Sequence, residues 1–269
     1  GYEKFPLFPK PKQKDEIGHL ISSYNRMITR LDDMVNKVHR SEIRQKEAAF
    51  MALQAQIKPH FLYNTLESIR MLAEIEGNEK ISELAYSFGQ LLRYTIPQNR
   101  KETRLDLEIE NVEHYIRIHQ IRAGKRLRFE KYIFTDPKQW TCPPLILQPL
   151  VENCIVHGLS ASSEPLLIKL AVKHVDDYLY IKVADDGPGI PPEKMEQIRA
   201  KLRNQTRMDR LQSSGKGGIG IVNVNERIRS YYGEGSEISV FRQGGQGTAV
   251  LMKLRVGGGM NDASVAADR

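Results

Sequence analysis

Residues 184–190, ADDGPGI, place a carboxylate directly before a glycine-rich turn. Asp185 ends an apolar run that predicts a β-strand, and Gly187 and Gly189 flank a proline just after it. A buried carboxylate at a strand end can accept a hydrogen bond from an exocyclic amine, and glycines let the backbone approach a flat ring closely. Taken alone, such a sequence is more often a plain turn after a strand.

A second glycine-rich stretch occupies residues 215–223, GKGGIGIVN. Gly217, Gly218 and Gly220 lie where a helix is predicted to begin. The backbone N–H groups of such a loop and the positive end of the helix dipole can cradle phosphate groups. The spacing matches neither the dinucleotide-binding glycine motif nor the Walker loop, and a plain glycine-rich loop is the alternative.

Polar side chains interrupt an apolar segment at residues 147–158, LQPLVENCIVHG. Asn153 and His157 are four residues apart, so they share one face of a predicted helix. A side-chain amide oxygen is a suitable hard ligand for Mg²⁺ beside nucleotide phosphates. A polar helix end is an equally good interpretation of these residues.

A histidine beside a proline interrupts the amphipathic pattern of residues 54–69, QAQIKPHFLYNTLESI. Pro59 removes a helical hydrogen bond and therefore predicts a bend. His60 lies about half a turn around the helix from Ile69, so its imidazole is expected on the polar side. Asn64, one turn later on the same face, would orient that imidazole, and it would equally suit a solvated helix surface.

Together these motifs resemble a known family. VEN, DDGPGI, GGIGIVN and GGQGT, in this order, are similar to the nucleotide-binding boxes of the ATP-binding fold shared by gyrase, Hsp90, MutL and sensor histidine kinases (the GHKL fold). The polar stretch 191–216 falls where that fold has its ATP lid. QIKPHFLYNTL, RLRFEKYI and PPLILQPLVENCIVHG further resemble the LytS/YesM-like sensor histidine kinases, and DEIGHLISSYNRMITRL (15–31) resembles the second helix of a HAMP linker.

The resemblance implies ATP as the ligand, with Mg²⁺, and it implies a role for each motif residue. His60 would be the phosphorylated residue, Asn153 would hold Mg²⁺, and Asp185 would bind the adenine amine. Asn64 would orient His60 or position a water molecule that dephosphorylates a partner. The other implied nucleotide-site residues are Gly187 and Gly189 along the adenine, Thr248 supporting its pocket, Gly218 and Gly220 near the phosphates, and His157, Lys216 and Gly217.

Three positions depart from related patterns. Lys216 stands where the second glycine box usually has its first glycine, so it either places an ammonium near the phosphates or alters the lid hinge. Many histidine kinases have an acidic residue directly after the phosphorylated histidine. Here Phe61 occupies that position, which is also the pattern of the LytS/YesM-like subfamily. Pro149 occupies the position of the water-activating glutamate of gyrase-type ATPases, which favours transfer to a side chain over transfer to water.

The patterns around these motifs predict an α+β protein. Apolar residues at alternating steps of four and three, from Ile17 to Val38, predict a coiled coil, and two helices meeting at EGNEK predict a hairpin that forms a four-helix bundle in a homodimer. Mixed strands and helices then predict a two-layer α/β sandwich. The expected domains are a lead-in and HAMP-like helix (1–40), a phosphoacceptor hairpin (41–101), an ATP-binding domain (102–257) and a tail expected to be disordered (258–269).

The charge and composition of the chain favour some classes of ligand over others. The 269 residues carry a net charge of +7, but the basic residues are scattered and aromatic residues are few, which favours a phosphorylated small ligand over nucleic acid. Cys142 and Cys154 lack metal-binding spacing and are expected to be buried free thiols. No stretch is apolar for long enough to span a bilayer. The HAMP-like sequence 15–31 resembles an element that follows a transmembrane segment in such sensors, so the resemblance implies the cytoplasmic part of a longer, membrane-anchored protein.

The resemblance implies a two-component sensor histidine kinase. It would transfer the γ-phosphoryl group of ATP to His60 and then to an aspartate of a response regulator receiver domain, with the ATP-binding domain swinging about the linker 97–103. Two alternatives are a GHKL-type ATPase that couples hydrolysis to conformational change, and a degenerate kinase that acts as a dimeric scaffold.

Overall fold

A computed structural model of the chain describes residues 17, 19–31, 34, 37–38, 41, 45, 59–96, 100–161, 164–203, 219–243 and 246–257. The chain consists of two compact units, residues 1–58 and residues 59–269. The tail, residues 204–218 and most of the segment 32–58 lie outside the described residues. Pro59 is the first residue of the next described range, so the residues before it, where the chain was predicted to bend, lie outside as well.

The first unit is helical wherever it is described. Residues 19–31 form continuous helix, as the heptad pattern predicts. Among the predicted seam residues, Ile28 is buried while Ile17, Leu31 and Val38 are exposed. A coiled-coil dimer through this seam remains a prediction.

The second unit begins with the predicted helical hairpin. Helix α1 spans Pro59–Ile75 and helix α2 spans Glu79–Thr95. Gly77 turns the chain between them with a φ of 68°, and the Asn78 side chain accepts a hydrogen bond (3.2 Å) from the N–H of Ile81, which caps α2. The stop predicted at EGNEK is therefore confirmed, and Ala73, Ala85 and Leu91 are buried between the helices.

A five-stranded mixed sheet forms one layer of the remaining domain. Its strands lie in the order β2 (Leu127–Ile133), β4 (Leu166–Val175), β5 (Tyr178–Asp185), β7 (Thr248–Arg255) and β6 (Glu237–Arg242). Strands β2 and β4 are parallel and all other neighbours are antiparallel. The turn predicted at residues 176–177 does connect β4 to β5. Strands β6 and β7 pair antiparallel on either side of the turn predicted at 244–247, whose residues 244–245 lie outside the described ranges. A separate short antiparallel pair joins β1 (Thr103–Arg104) to β3 (Thr141–Cys142).

Four helices cover this sheet: α3 Leu105–Ala123, α4 Gln148–Ala161, α5 Pro192–Arg203 and α6 Ile219–Tyr232. Two 3₁₀ turns, Gly124–Arg126 and Pro137–Gln139, complete the domain. Alternate residues of β4 and β5 are buried, which is the pattern of a sheet packed on one face. The predicted α/β sandwich is confirmed, and its core is continuous from α3 through the sheet to α6.

Two local expectations differ from the structure. The helix expected to begin with the prolines of PPLIL begins instead at Gln148, because Leu145 has a φ of 59° that a helix does not contain. The stretch 191–216 was expected to be a polar lid, yet its first half is α5, which buries Met195, Ile198 and Leu202. Those three residues lie on one helix face, and that spacing overrides the polar composition.

The hairpin packs against the sandwich through α2 and α3, which run antiparallel. The hydroxyl of Tyr94 contacts Glu108, the ring of Tyr86 packs edge-on against His114 (5.6 Å between centroids), and Glu83 pairs with Arg117. The end of α2 is thereby placed beside the beginning of α3.

Candidate functional site

A cavity of about 200 Å³ lies between α4, α5, α6 and the ends of β5 and β7. Each of α4, α5, α6 and β7 contributes an apolar side chain to its wall. These side chains are, in the same order, Leu150, Ile198, Ile221 and Val250. Five residues predicted from separate motifs also line it, namely Asn153, His157, Asp185, Gly189 and Thr248. The structure therefore brings into one cavity predicted residues that are up to 95 positions apart, from Asn153 to Thr248.

Asp185 is the buried acid of this cavity, with 8% of its surface exposed. Its Oδ1 accepts hydrogen bonds from the N–H of Gly187 (3.0 Å) and of Thr248 (3.3 Å). Burial raises the pKa of Asp185, and the hydrogen bonds from Gly187, the thiol of Cys154 and Thr248 oppose that rise. The two amides fix the carboxylate from both sides, so the group faces the cavity in one orientation.

The carboxylate of Asp186, the next residue in the chain, has a different hydrogen-bond partner. Oδ1 of Asp186 accepts a hydrogen bond of 2.7 Å from the N–H of Leu167, at the start of β4, and Asp186 does not line the cavity. Of the two aspartates in DDG, Asp185 is the one that lines the cavity.

Two glycines allow the loops after β5 and before β7 to touch. Gly189 has a φ of 76°, and a Cβ there would lie 3.0 Å from the carbonyl oxygen of Gly247. At Gly247, with a φ of 85°, a Cβ would lie 2.1 Å from the carbonyl oxygen of Asp185. These close approaches require glycine and bring Thr248 to Asp185. Gly187 supports Asp185 through its N–H and is not itself part of the cavity wall.

Asn153 marks the other end of the cavity, where α6 begins. A Cβ at Gly220 would lie 3.5 Å from Nδ2 of Asn153, so the two residues are close neighbours. The N-terminus of a helix attracts anions through its free N–H groups and its dipole. Of the second glycine box, Lys216, Gly217 and Gly218 lie outside the described residues.

Sequence reasoning missed two chemically distinctive residues of the cavity, Cys154 and Lys194. Cys154 directly follows Asn153 and packs beside Asp185, and burial raises the pKa of its thiol well above the usual value. Lys194 lies one turn before Ile198 on α5. The periodicity of the buried face of α5 was the signal that could have placed Lys194 here.

Two family models match the chain. One, described as histidine kinase, covers residues 48–127, and the other, described as histidine kinase-, DNA gyrase B- and HSP90-like ATPase, covers residues 144–258. The first contains His60 and the second contains every residue of the cavity wall. The chain belongs to the histidine kinases.

Individual histidine kinases and a further relative align over most of this chain. The sensor histidine kinase YesM of Bacillus subtilis (strain 168) is 33% identical over 241 residues, which are 90% of this chain and 39% of YesM. The uncharacterized protein YwpD of the same organism is 32% identical over 87% of this chain and 79% of its own length. The sensor protein kinase HptS of Staphylococcus aureus (strain USA300) is 24% identical over 86% of this chain and 43% of HptS. The chain thus spans about two fifths of the length of YesM and HptS.

His60, the predicted acceptor of this histidine kinase, is exposed in the first turn of α1. The amide nitrogen of Asn64 lies 3.2 Å from its Nδ1. Neither residue lines the cavity. The structure therefore confirms the exposure expected for His60 and places His60 apart from the residues that would hold a nucleotide.

No helix within the described ranges has the length and apolar character that crossing a bilayer requires. Within the same ranges, no group of three or more histidine, cysteine, aspartate or glutamate side chains is arranged to hold a metal ion.

Proposed function

We propose that this chain binds ATP in the cavity, transfers the γ-phosphoryl group to His60, and passes it to an aspartate of a response regulator receiver domain. The observation that carries the proposal is the joint presence, in one compact unit, of an exposed histidine and a cavity with a fixed, buried carboxylate. Membership of the histidine kinases supports the same reaction.

ATP fits the chemistry of the cavity. The apolar wall suits the faces of a purine ring, and Asp185 offers an acceptor to an exocyclic amine. The polar end, with Asn153 and the start of α6, suits the phosphates. The roles of His157 and Thr248 as nucleotide contacts, and of Lys216, Gly217, Gly218 and Gly220 near the phosphates, belong to this proposal.

Mg²⁺ fits beside Asn153. The side-chain amide oxygen is one hard ligand, and Mg²⁺ usually completes its octahedron with phosphate oxygens and water rather than with a protein cage. Bound there, Mg²⁺ would neutralise phosphate charge. Asn153 would hold the ion, and the wall of α4 would keep it beside the phosphates.

The proposed transfer forms a bond between Nε2 of His60 and the γ-phosphorus while the bond from that phosphorus to the β,γ-bridging oxygen breaks, and ADP leaves with the electron pair. For this step Nε2 must present its lone pair, so the imidazole proton must be on Nδ1. A half-turn of the Asn64 amide would bring its oxygen to Nδ1 as an acceptor for that proton. Positioning of this kind supplies most of the catalysis in phosphoryl transfer.

We further propose that the hairpin forms a homodimer. Large apolar side chains are exposed along both helices, among them Phe61 (67%), Leu72 (61%), Ile75 (80%) and Phe88 (45%). Such a surface on two antiparallel helices is suited to a four-helix bundle with a second copy. Because His60 lies outside the cavity wall, transfer needs either a swing about the linker 97–103 or the cavity of the second copy.

The longer protein is proposed to be a membrane-anchored sensor whose cytoplasmic part includes this chain. The similarity to YesM and the HAMP-like sequence of residues 15–31 support this arrangement. Signals would then arrive through the helix of the first unit.

Labelled ATP tests the proposal. Incubation with γ-labelled ATP and Mg²⁺ should label the protein with phosphate that is labile in acid and stable in alkali. The variant His60→Gln should abolish the label, whereas His19→Gln, which changes another exposed histidine, should retain it. Free phosphate without labelled protein would instead support the ATPase, and ATP binding without turnover would support the scaffold.

A further inference from the structure

Glu108 is a fully buried carboxylate in the first turn of α3. It accepts hydrogen bonds from three consecutive backbone N–H groups, those of Leu145, Ile146 (2.8 Å) and Leu147 (3.0 Å). The hydroxyl of Tyr94 donates a fourth. Burial raises the pKa of Glu108 and these donors oppose the rise. Because amides can only donate, the ionised carboxylate is the form that satisfies all four contacts.

The three amides belong to a segment, residues 144–147, that we call the leader turn. Leu145 has a φ of 59°, a left-handed conformation that non-glycine residues adopt only when their surroundings enforce it. Glu108 holds the turn by its N–H groups. Nη1 of Arg227, on α6, holds it by the carbonyl oxygens of Pro144 (2.6 Å) and Leu145 (3.0 Å). The turn is thus clamped from both sides by ionic side chains.

The leader turn sets the position of α4. The carbonyl oxygen of Leu147 accepts hydrogen bonds from the N–H of Leu150 (3.1 Å) and of Val151 (3.2 Å), which form the first turn of the helix. The same helix carries the cavity residues Leu150, Asn153, Cys154 and His157. A shift of the leader turn would therefore move one whole wall of the cavity.

Tyr94 brings the hairpin into this arrangement. It lies in the last turn of α2, next to Leu92 and Arg93. The hydroxyl of Tyr63 donates to the carbonyl oxygen of Leu92 (3.2 Å), and Arg93 lies over the ring of Tyr63, 5.4 Å from its centroid. Tyr63 is one turn after His60 on α1. The end of the hairpin that carries His60 is therefore the end that reaches Glu108.

We infer that Glu108 is a positioning residue for the ATP site and that Tyr94 is the contact through which the hairpin sets the position of α4. The inference rests on the proposed function in that ATP is taken to occupy the cavity. It links the phosphoacceptor hairpin to nucleotide affinity through a path of direct contacts: Tyr94, Glu108, the leader turn and α4. A change in hairpin packing would then alter how well the cavity holds ATP.

The first test removes one hydroxyl far from the nucleotide. Tyr94→Phe should weaken ATP binding by the whole chain about 3-fold to 10-fold, measured by calorimetry, because Glu108 loses a charge-assisted partner. Tyr86→Phe is the matched control, since Tyr86 lies on the same helix and packs against α3 through its ring. It should leave the ATP dissociation constant unchanged.

The second test distinguishes positioning from general stability. Glu108→Gln and Arg227→Met should each weaken ATP binding, and Arg229→Met, on the same helix as Arg227, should not. In the Glu108→Gln background, Tyr94→Phe should have no further effect, because both changes interrupt the same path. If Glu108→Gln fails to fold, Tyr94→Phe and Arg227→Met decide the question.

The outcomes separate the two proposals. A wild-type chain that binds no ATP would overturn the proposed function. A wild-type chain that binds ATP, with equal affinity in Tyr94→Phe, would overturn the link to the hairpin, and equal affinity in a folded Glu108→Gln or in Arg227→Met would overturn the positioning role.

Discussion

The amide nitrogen of Asn64 lies 3.2 Å from Nδ1 of His60, one turn earlier on the same exposed face of α1. This contact leaves Nε2 as the ring nitrogen directed away from the helix partner. It also gives the imidazole a neighbour that can either donate or accept, depending on which end of the amide faces Nδ1. An acceptor at position 64 is therefore expected to speed transfer to Nε2 by holding the imidazole proton on Nδ1.

Substitutions at Asn64 should separate acceptor chemistry from helix packing. Asn64→Asp retains an acceptor for the Nδ1 proton, so His60 phosphorylation should stay within about 3-fold of wild type, whereas Asn64→Leu should slow it about 10-fold to 100-fold. The measurement is the single-turnover rate of protein labelling at saturating ATP. Equal rates in Asn64→Leu and wild type would show that the contact does not serve the transfer.

Adenine recognition by Asp185 predicts a contrast between two adjacent carboxylates. Asp185→Asn should weaken ATP binding at least about 10-fold, because a hydrogen bond to a charged group contributes roughly 1.5–3 kcal/mol. The single oxygen of the new amide would be taken by the N–H groups of Gly187 and Thr248, and its NH₂ group can only donate. Asp186→Asn should change ATP affinity little, since an amide oxygen can still accept from Leu167. Calorimetric titration measures both, and a comparable loss in the two variants would contradict the assignment.

Lys194 is predicted to contribute a positive charge to nucleotide binding from α5. Lys194→Met should raise the dissociation constant of ATP about 3-fold to 10-fold and reduce its dependence on salt, because one partly buried ionic contact is lost. Lys201→Met removes a charge from the same helix at an exposed position that is not part of the cavity wall, and ATP should bind this variant normally. Identical salt dependence in wild type and Lys194→Met would exclude the contact.

Cys154 offers a chemical probe of cavity occupancy. Burial and the charge of Asp185 raise the pKa of its thiol well above the usual range, so the reactive thiolate is scarce at neutral pH. Alkylation by iodoacetamide should therefore be slow at pH 7, accelerate as the pH rises toward 10, and be slowed further by ATP.

Cys142 is the internal control for this probe, because it is buried outside the cavity and burial also raises the pKa of its thiol. Mass spectrometry of the two cysteine peptides resolves the sites. ATP protection of Cys154 alone is the expected result, and equal protection of both would indicate a global change in opening rather than occupancy.

Local sequence patterns were enough to predict those parts of the fold that are set by residues close together in the chain. The hairpin was predictable from two amphipathic stripes and a glycine-containing stop, and the β-turn at residues 176–177 from its two aspartates between β-rich runs. The start of α4 was not, because the left-handed conformation of Leu145 is stabilised by Glu108, 37 positions earlier. Helix α5 was missed because its polar composition obscured three buried residues at helical spacing.

By itself, the sequence determined the types of side chain available to the reaction: an exposed histidine on an amphipathic helix, an acid before a glycine turn, and an amide on a helix near a glycine-rich loop. Only the tertiary structure decided that Cys154 and Lys194 join the cavity, and that Asp186 lies outside its wall and accepts instead from the N–H of Leu167. Those outcomes depend on contacts between distant segments, such as the hydrogen bond from Thr248 to Asp185 across 63 positions. Spacing along the chain does not encode such contacts, because the packing of the sheet against its helices sets them.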